Sequence, residues 1–150
     1  MSKIYYRLML PYRQFDRDYT QQFAPLLKLS GLSFREMHVL LFFANNPELD
    51  TARDVTVYRG IAKSQVSAAV DLLTERGILQ RRADPGDRRV IHLSITQSGR
   101  PLVTRAQEIQ DACWRRVLEG LSAEEQQQLY TLLEKVFAAG EQLTEGEHLE

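Results

Sequence analysis

Two neighbouring arginines follow a tight turn near the middle of the chain, and their chemistry suits a phosphate backbone or a DNA groove. Pro85 and Gly86 predict the turn, and Arg88 and Arg89 come just after it, beside Asp87. An arginine on a loop tip can enter the narrow, electronegative minor groove of duplex DNA, and an adjacent aspartate can orient its guanidinium group. This order of residue types predicts a nucleic-acid contact.

A second polar group lies at the beginning of a helix that we predict from about Lys63 to just before Gly77. Val66, Val70 and Leu73 form its core-facing stripe. This stripe leaves four polar side chains facing outward, namely Lys63, Ser64, Gln65 and Ser67. Serine and glutamine can hydrogen-bond bases or phosphates, while lysine and the helix N-terminus attract phosphate charge. The pattern is typical of a recognition helix in the major groove.

The elements around these groups predict a helix-turn-helix followed by a hairpin. A short helix from about Ala52 to Tyr58 is capped by Thr51, with Asp54 at the third position, and Gly60 ends it. The helix from Lys63 begins almost at once, as in a helix-turn-helix. Two β-type segments, 78–83 and 89–95, then flank the turn, and the alternation along the second predicts a half-buried strand. On this alternation we expect His92 to face solvent.

Charge is distributed unevenly along a chain whose formal net charge is -1. Residues 51–105 contain ten Lys and Arg against five acidic residues, whereas the remainder contains nine against fifteen. A basic centre between acidic flanks favours a DNA-facing lobe on a solvating scaffold, although chance clustering on a solvated face would give the same count.

Amphipathic helices are predicted on both sides of this centre. The first runs from about Ile4 to Leu27, through Pro11, with an aromatic stripe that we interpret as core or subunit interface rather than a ligand box. The next begins at a capping box formed by Ser33 and Glu36. Two more follow Thr96 and Ser122. The first has an apolar stripe formed by Leu102, Ala106, Ile109, Cys113 and Val117, and the second should face inward with Leu129, Leu132, Leu133, Val136 and Phe137.

Composition and spacing favour none of the common catalytic or metal sites. His38, His92, His148 and the single Cys113 are scattered without the spacing of a metal pair, and we find no glycine-rich phosphate loop. We therefore expect no enzymatic activity, no metal and no cofactor. The chain also shows no apolar run of the roughly 20 residues that span a membrane and no signal peptide, so we expect no membrane partner and a cytoplasmic location.

The segment TARDVTVYRGIAKSQVSAAVDLLTERGILQRRADPGDRRVIHLSITQSG resembles the MarR family of bacterial transcriptional regulators. Its most specific part is DPGDRR, followed by an apolar alternation and ITQSG, which is similar to the family's wing and its exit into the next helix. The resemblance implies a mainly α fold with a small β-hairpin wing. It further implies one domain, with dimerisation helices at 1–30 and 101–140, a winged helix-turn-helix lobe at 33–99, and a frayed tail at 141–150.

The resemblance also assigns roles to individual residues. Arg89 would enter the minor groove, Asp87 would hold it, and Arg88 would lie near phosphate. Arg53 would contact phosphate from the preceding helix, and the recognition helix would present Lys63, Ser64, Gln65 and Ser67. Ala62 departs from the pattern, because such helices often have a serine cap there, and the first helical turn is therefore less well anchored.

The function implied is a sequence-specific regulator of transcription, a repressor that binds double-stranded DNA as a homodimer on a pseudo-palindromic operator. A small aromatic or amphipathic effector would release it from a pocket lined by Tyr12, Phe15, Tyr19, His38 and Phe42. These five residues need no ligand if they are plain core, which is the interpretation we prefer. The alternative is a winged-helix adaptor for protein interaction, or an architectural DNA-binding protein without ligand control.

Overall fold

The computed structural model describes the backbone of residues 2–146 and the side chains of residues 13–136. Within this part, helices and one antiparallel hairpin follow the order α1 (Ser2–Ser30), α2 (Phe34–Asn45), α3 (Ala52–Arg59), α4 (Lys63–Glu75), β1 (Leu79–Ala83), β2 (Ile91–Ile95), α5 (Arg100–Leu118) and α6 (Ala123–Gly146). The mainly α fold with a β-hairpin is confirmed. Helix α1 is longer than the predicted 4–27 and continues through Pro11.

Reciprocal capping boxes begin three of these helices, as the sequence predicts. In each, the side chain of a serine or threonine accepts a hydrogen bond from the backbone N–H three residues later. The carboxylate of that later residue accepts a hydrogen bond from the backbone N–H of the serine or threonine. The pairs are Ser33 with Glu36, Thr51 with Asp54, and Ser122 with Glu125. Helix α3 ends at Gly60, whose φ of 62° is the left-handed conformation that glycine adopts easily.

The chain forms two compact units, residues 1–111 and the part from Ala112 onward. The core of the first unit is built around α2, half of whose residues are buried, and α4 adds Val66, Val70 and Leu73 as predicted. Each strand contributes one fully packed leucine, Leu79 and Leu93. Helix α4 is therefore apolar on its core side, and its other side is left for solvent or a ligand.

The hairpin pairs β1 with β2 from Leu79↔Ile95 to Ala83↔Ile91. A third segment extends it, because the Leu93 N–H donates to the Asp50 carbonyl over 2.7 Å and Thr51 forms a bridge with His92. The hairpin is thus attached to the connection between α2 and α3, and not only to the helix that precedes it.

The second unit contains the end of α5 and α6, and its apolar stripe is exposed. Leu132 and Val136 are 59% and 64% exposed, and Leu133 is 40% exposed. Our expectation that these residues face inward is therefore wrong for the single chain, because a helix cannot bury its own stripe without a facing partner. Phe137 lies outside the described side chains.

Two further expectations concern the C-terminal end of the chain and possible membrane segments. The backbone of α6 remains helical to Gly146, beyond the predicted beginning of a frayed tail at 141, and residues 147–150 lie outside the described part. Among the described helices, none is long and apolar enough to cross a membrane.

Gly99 should resist substitution because of where α5 begins. A Cβ atom at this position would lie 2.6 Å from the Ile78 carbonyl oxygen, so the backbone would have to move. We expect Gly99→Ala to lower the free energy of unfolding by about 1–3 kcal/mol, measured by urea denaturation. Gly120→Ala is the matched control, since nothing lies within 4 Å of its added Cβ. Equal stability of the two variants would contradict this packing.

Candidate nucleic-acid interface

The loop between β1 and β2, residues 84–90, is shaped by two aspartates. One carboxylate oxygen of Asp84 accepts hydrogen bonds from the backbone N–H groups of Gly86 (2.7 Å) and Asp87 (2.9 Å), and the Asp84 N–H donates to the Val90 carbonyl (3.0 Å). These bonds close the loop into a tight turn of the kind that aspartate favours. They also lower the pKa of Asp84, after the larger effect of its hydrogen bond with His92.

Both carboxylate oxygens of Asp87 accept hydrogen bonds from the Arg89 side chain. The Arg89 Nε donates to Oδ1 over 3.1 Å and Nη2 donates to Oδ2 over 3.3 Å, while the Arg89 backbone N–H donates to Oδ1 over 3.0 Å. These bonds to Arg89 lower the pKa of Asp87, so the carboxylate is charged at neutral pH. The Arg89 side chain is nevertheless 91% exposed. Its fork is oriented without being buried, which leaves it available to a ligand.

Every other residue that the sequence assigns to the DNA contact is exposed. On α4 these are Lys63, Ser64, Gln65 and Ser67, and elsewhere they are Arg53 and Arg88. The cap position before α4 is Ala62, which has no side-chain hydrogen bond to offer the first turn, in agreement with the predicted departure. The structure thus places both polar groups on the surface; contact with DNA stays a prediction.

An ion pair that the sequence did not suggest links the recognition helix to the hairpin. Asp71 on α4 accepts a hydrogen bond from Arg81 on β1. Both side chains are partly exposed, so the pair contributes little stability, but it is a direct contact between the helix and the hairpin. The sequence offered one signal for this pair, the opposite charges of Asp71 in the helix and Arg81 in the following strand.

His92 is the residue whose position we predicted wrongly. It does not face open solvent: its ring is only 24% exposed and lies between two carboxylates. Nδ1 is 2.7 Å from Asp50 Oδ1, and Nε2 is 3.0 Å from Asp84 Oδ2. Strand alternation predicts the side of the hairpin on which a residue lies, but it does not predict what packs against that side. Here the α2–α3 connection covers the side on which His92 lies.

The aromatic residues proposed for an effector pocket divide into two places. The ring centroid of Tyr19 lies 5.8 Å from that of Phe15 and 6.1 Å from that of His38. The ring centroid of Phe34 lies 4.1 Å from that of His38. Tyr12 lies outside the described side chains. Phe34, which the sequence did not single out, packs against Tyr19 and His38, two of the residues assigned to the effector pocket.

Phe42 lies apart from this cluster and lines a cavity of about 230 Å³ with polar walls. The other lining residues are Leu41, Asn45, Asn46, Tyr58, Arg59 and Gln110. Gln110 accepts a hydrogen bond from Asn45 (2.7 Å) and donates one to the Tyr19 hydroxyl (3.1 Å), which connects the cavity wall with the aromatic cluster.

The described part of the chain contains no cluster of side chains that could bind a metal ion. No set of three or more His, Cys, Asp or Glu there could hold a metal ion. Burial raises the pKa of the Cys113 thiol, with a smaller opposing effect from Arg116. A raised pKa disfavours the reactive thiolate, so burial outweighs the activating effect of Arg116 on the cysteine.

A helix-turn-helix with a polar outer face on its second helix, followed by a cationic hairpin, defines a winged-helix DNA-binding protein. A family model described as "MarR family" matches residues 30–90. Over these residues the chain is similar to the MarR family of transcriptional regulators.

Known relatives agree with this assignment. The homoprotocatechuate degradative operon repressor of Escherichia coli is 26% identical over 118 residues, 79% of each chain. The fold matches S. aureus MepR in its DNA-binding conformation, with a TM-score of 0.76 and 21% identity over 88% of this chain and 97% of that one. It also matches CouR from Rhodococcus jostii RHA1 bound to p-coumaroyl-CoA, with a TM-score of 0.69 and 28% identity over 86% and 90%.

His38 should make stability depend on pH in the acidic range. Burial, and secondarily the charge of Arg59, lowers its pKa from 6.5 to about 4, with a smaller opposing effect of Asp16. The folded state therefore disfavours the proton, and stability is lost as pH falls from 6.5 towards 4. We expect His38→Leu to remove this part of the pH dependence, measured by urea unfolding at pH 7, 5.5 and 4.5.

The leucine should not destabilise the protein at pH 7. The His38 Nε2 atom is buried and finds no hydrogen-bond partner among the residues that the structure describes, so an apolar side chain of similar size removes an unsatisfied group. An unchanged pH profile in this variant would show that His38 is not the group responsible.

Proposed function

We propose that the protein is a transcriptional repressor that binds a pseudo-palindromic operator as a homodimer, with each wing in a minor groove. The observation that carries the proposal is the Arg89 guanidinium, held by Asp87 in a bidentate contact while 91% exposed. A narrow minor groove has an enhanced negative potential that attracts arginine. An arginine already oriented in the free protein loses less rotamer entropy on binding.

The exposed face of α4 supports contact with the adjacent major groove. Ser64, Gln65 and Ser67 would read base edges, while Lys63 and Arg53 would neutralise phosphates and Arg88 would lie near the backbone beside the wing. The ion pair between Asp71 and Arg81 supports simultaneous use of both elements, because it couples the helix to the hairpin. These roles are those implied by the family resemblance.

Dimerisation is supported by the apolar stripe that the single chain leaves in solvent. Val117 on α5 and Leu132, Leu133 and Val136 on α6 are exposed leucines and valines at helical spacing, and a patch of this kind marks an interaction site. We propose that the segments 1–30 and 101–140 form the subunit interface and that 33–99 forms the DNA-binding lobe. The tail at 141–150 remains an expectation.

Control by a small molecule forms the remaining part of the proposal. Two features support it: the His38 Nε2 atom, which has no hydrogen-bond partner among the described residues, and the polar cavity beside Phe42, either of which a ligand could contact. Such a ligand would release the operator only by binding the DNA-incompetent state more tightly. A regulator acts in the compartment that holds the DNA, which we take to be the cytoplasm.

Arg89→Ala should weaken DNA binding and change its salt dependence. Removing a guanidinium from each wing should weaken the free energy of DNA binding by about 1–3 kcal/mol. It should also flatten the slope of the logarithm of the binding constant against the logarithm of salt concentration by roughly one unit per wing. The measurement is fluorescence anisotropy at several salt concentrations, with a duplex selected from a random library by the wild-type protein.

The matched control is Arg35→Ala, which removes an exposed arginine from α2, outside both the proposed DNA contacts and the proposed subunit interface. This variant should bind as the wild type does. Wild-type affinity and slope for Arg89→Ala would contradict the wing contact, whereas a wild-type protein that selects no duplex would favour a protein-interaction adaptor. Affinity that is independent of sequence would favour an architectural role.

Leu132→Glu should separate the subunits. A carboxylate at the centre of a buried interface is costly to desolvate, and we expect the dimer dissociation constant to rise by about tenfold or more, measured by analytical ultracentrifugation. Gln127→Glu adds the same charge on an exposed position of α6 away from the stripe and should leave the dimer intact. A monomeric wild-type protein would contradict the proposal.

A further inference from the structure

The feature that the proposed contacts do not use is the histidine at the base of the wing. The His92 ring lies between Asp50 and Asp84, with nitrogen–oxygen distances of 2.7 and 3.0 Å. Each carboxylate side chain is about one-third exposed, at 33%, so neither is freely solvated. The three side chains form a continuous bridge between the α2–α3 connection and the wing loop.

Only a protonated imidazole can make both of these hydrogen bonds as a donor. A neutral ring carries one N–H, and its other nitrogen is an acceptor. Ionised carboxylates are acceptors only, so a neutral His92 would direct a lone pair at one of the two aspartates. The imidazolium form donates to both and adds a charge attraction to each contact.

The bridge continues to the arginine that faces DNA. Asp84 Oδ2 contacts His92, and its Oδ1 accepts the backbone N–H of Asp87 over 2.9 Å. Asp87 in turn holds the Arg89 fork. A movement of Asp84 would therefore move the residue that orients Arg89, and His92 is the group that ties Asp84 to the α2–α3 connection, through Asp50.

We propose that His92 is a positioning residue for the wing, whose doubly hydrogen-bonded ring holds the 84–90 loop in its DNA-binding arrangement. This inference rests on the proposed contact of Arg89 with DNA. His92 itself touches neither base nor phosphate in this role. It acts through Asp84 and Asp87. The consequence of losing it depends on pH, because the ring donates to both Asp50 and Asp84 only when it is protonated.

The charged groups around the ring favour its protonated form. Asp50 faces it from the α2–α3 connection and Asp84 from the wing loop, while Arg82 occupies the paired position on β1. On α3, the Asp54 carboxylate is engaged with Thr51. The hydrogen bonds to Asp50 and Asp84 raise the pKa of His92 above 6.5, against a weaker opposing effect of burial.

The direction of the pH effect follows from this raised pKa. A histidine whose folded pKa exceeds its unfolded value contributes its full stabilisation below pH 6.5, and this contribution is lost as pH rises through the folded pKa. The wing loop should therefore loosen, and DNA affinity should fall, as pH increases from about 6 to 9.

The experiment compares the full-length wild type with His92→Gln in binding to the selected duplex between pH 6 and 9 at constant salt. Glutamine donates through one group only, so the variant should bind about tenfold more weakly at pH 6 and show a flat profile. The wild type should approach the variant at high pH. Asp50→Asn should shift the wild-type profile to lower pH, because one of the two carboxylates is removed.

Ring ¹⁵N NMR of the DNA-free protein gives an independent readout, and at pH 6 both His92 nitrogens should carry protons. A wild-type pH profile for His92→Gln, or a singly protonated His92 ring at pH 6, would overturn the inference.

The outcomes separate this inference from the proposed function. If Arg89→Ala weakens binding while His92→Gln behaves as the wild type at every pH, His92 has no positioning role and the wing contact stands. If Arg89→Ala also leaves binding unchanged, the wing contact itself is wrong.

Discussion

The contact between Asp87 and Arg89 is the interaction on which the proposed interface depends. A surface ion pair contributes little to folding, and this one is no exception, since its arginine is 91% exposed. Its consequence is geometric. The carboxylate removes much of the freedom of a long side chain and directs the guanidinium group away from the body of the protein, where a polyanion can reach it.

The rest of the lobe can be understood as support for that loop. Asp84 closes the turn, the pairing of β1 with β2 sets the direction of the hairpin, and the Leu93 N–H fastens β2 to Asp50. Buried Leu79 and Leu93 anchor the strands in a core made mainly by α2 and α4. The charged tip is therefore mounted on an apolar base, and the polar face of α4 is presented by the same base.

Local chemistry explains which features could be predicted from the sequence. Capping boxes, the left-handed Gly60, the buried side of α4 and the exposed arginines each depend on residues close together in the chain. His92 could not be placed in this way, because Asp50 lies far from it in sequence. The stripe of α6 was misjudged for a related reason: periodicity shows that a face is apolar but does not show what covers it. The place of Phe34 in the aromatic cluster was not predicted, because contacts between α1 and α2 depend on how the helices pack and not on their separate sequence patterns.

Hydroxyl-radical footprinting of the wild-type protein on a selected duplex tests the central claim most directly, because the radical attacks sugars along the minor groove. Two wings placed symmetrically in minor grooves should give two protected segments, flanking the major grooves occupied by the recognition helices. Protection of the central site without the flanking minor-groove segments would contradict the account, since the oriented arginine would then lie outside the complex.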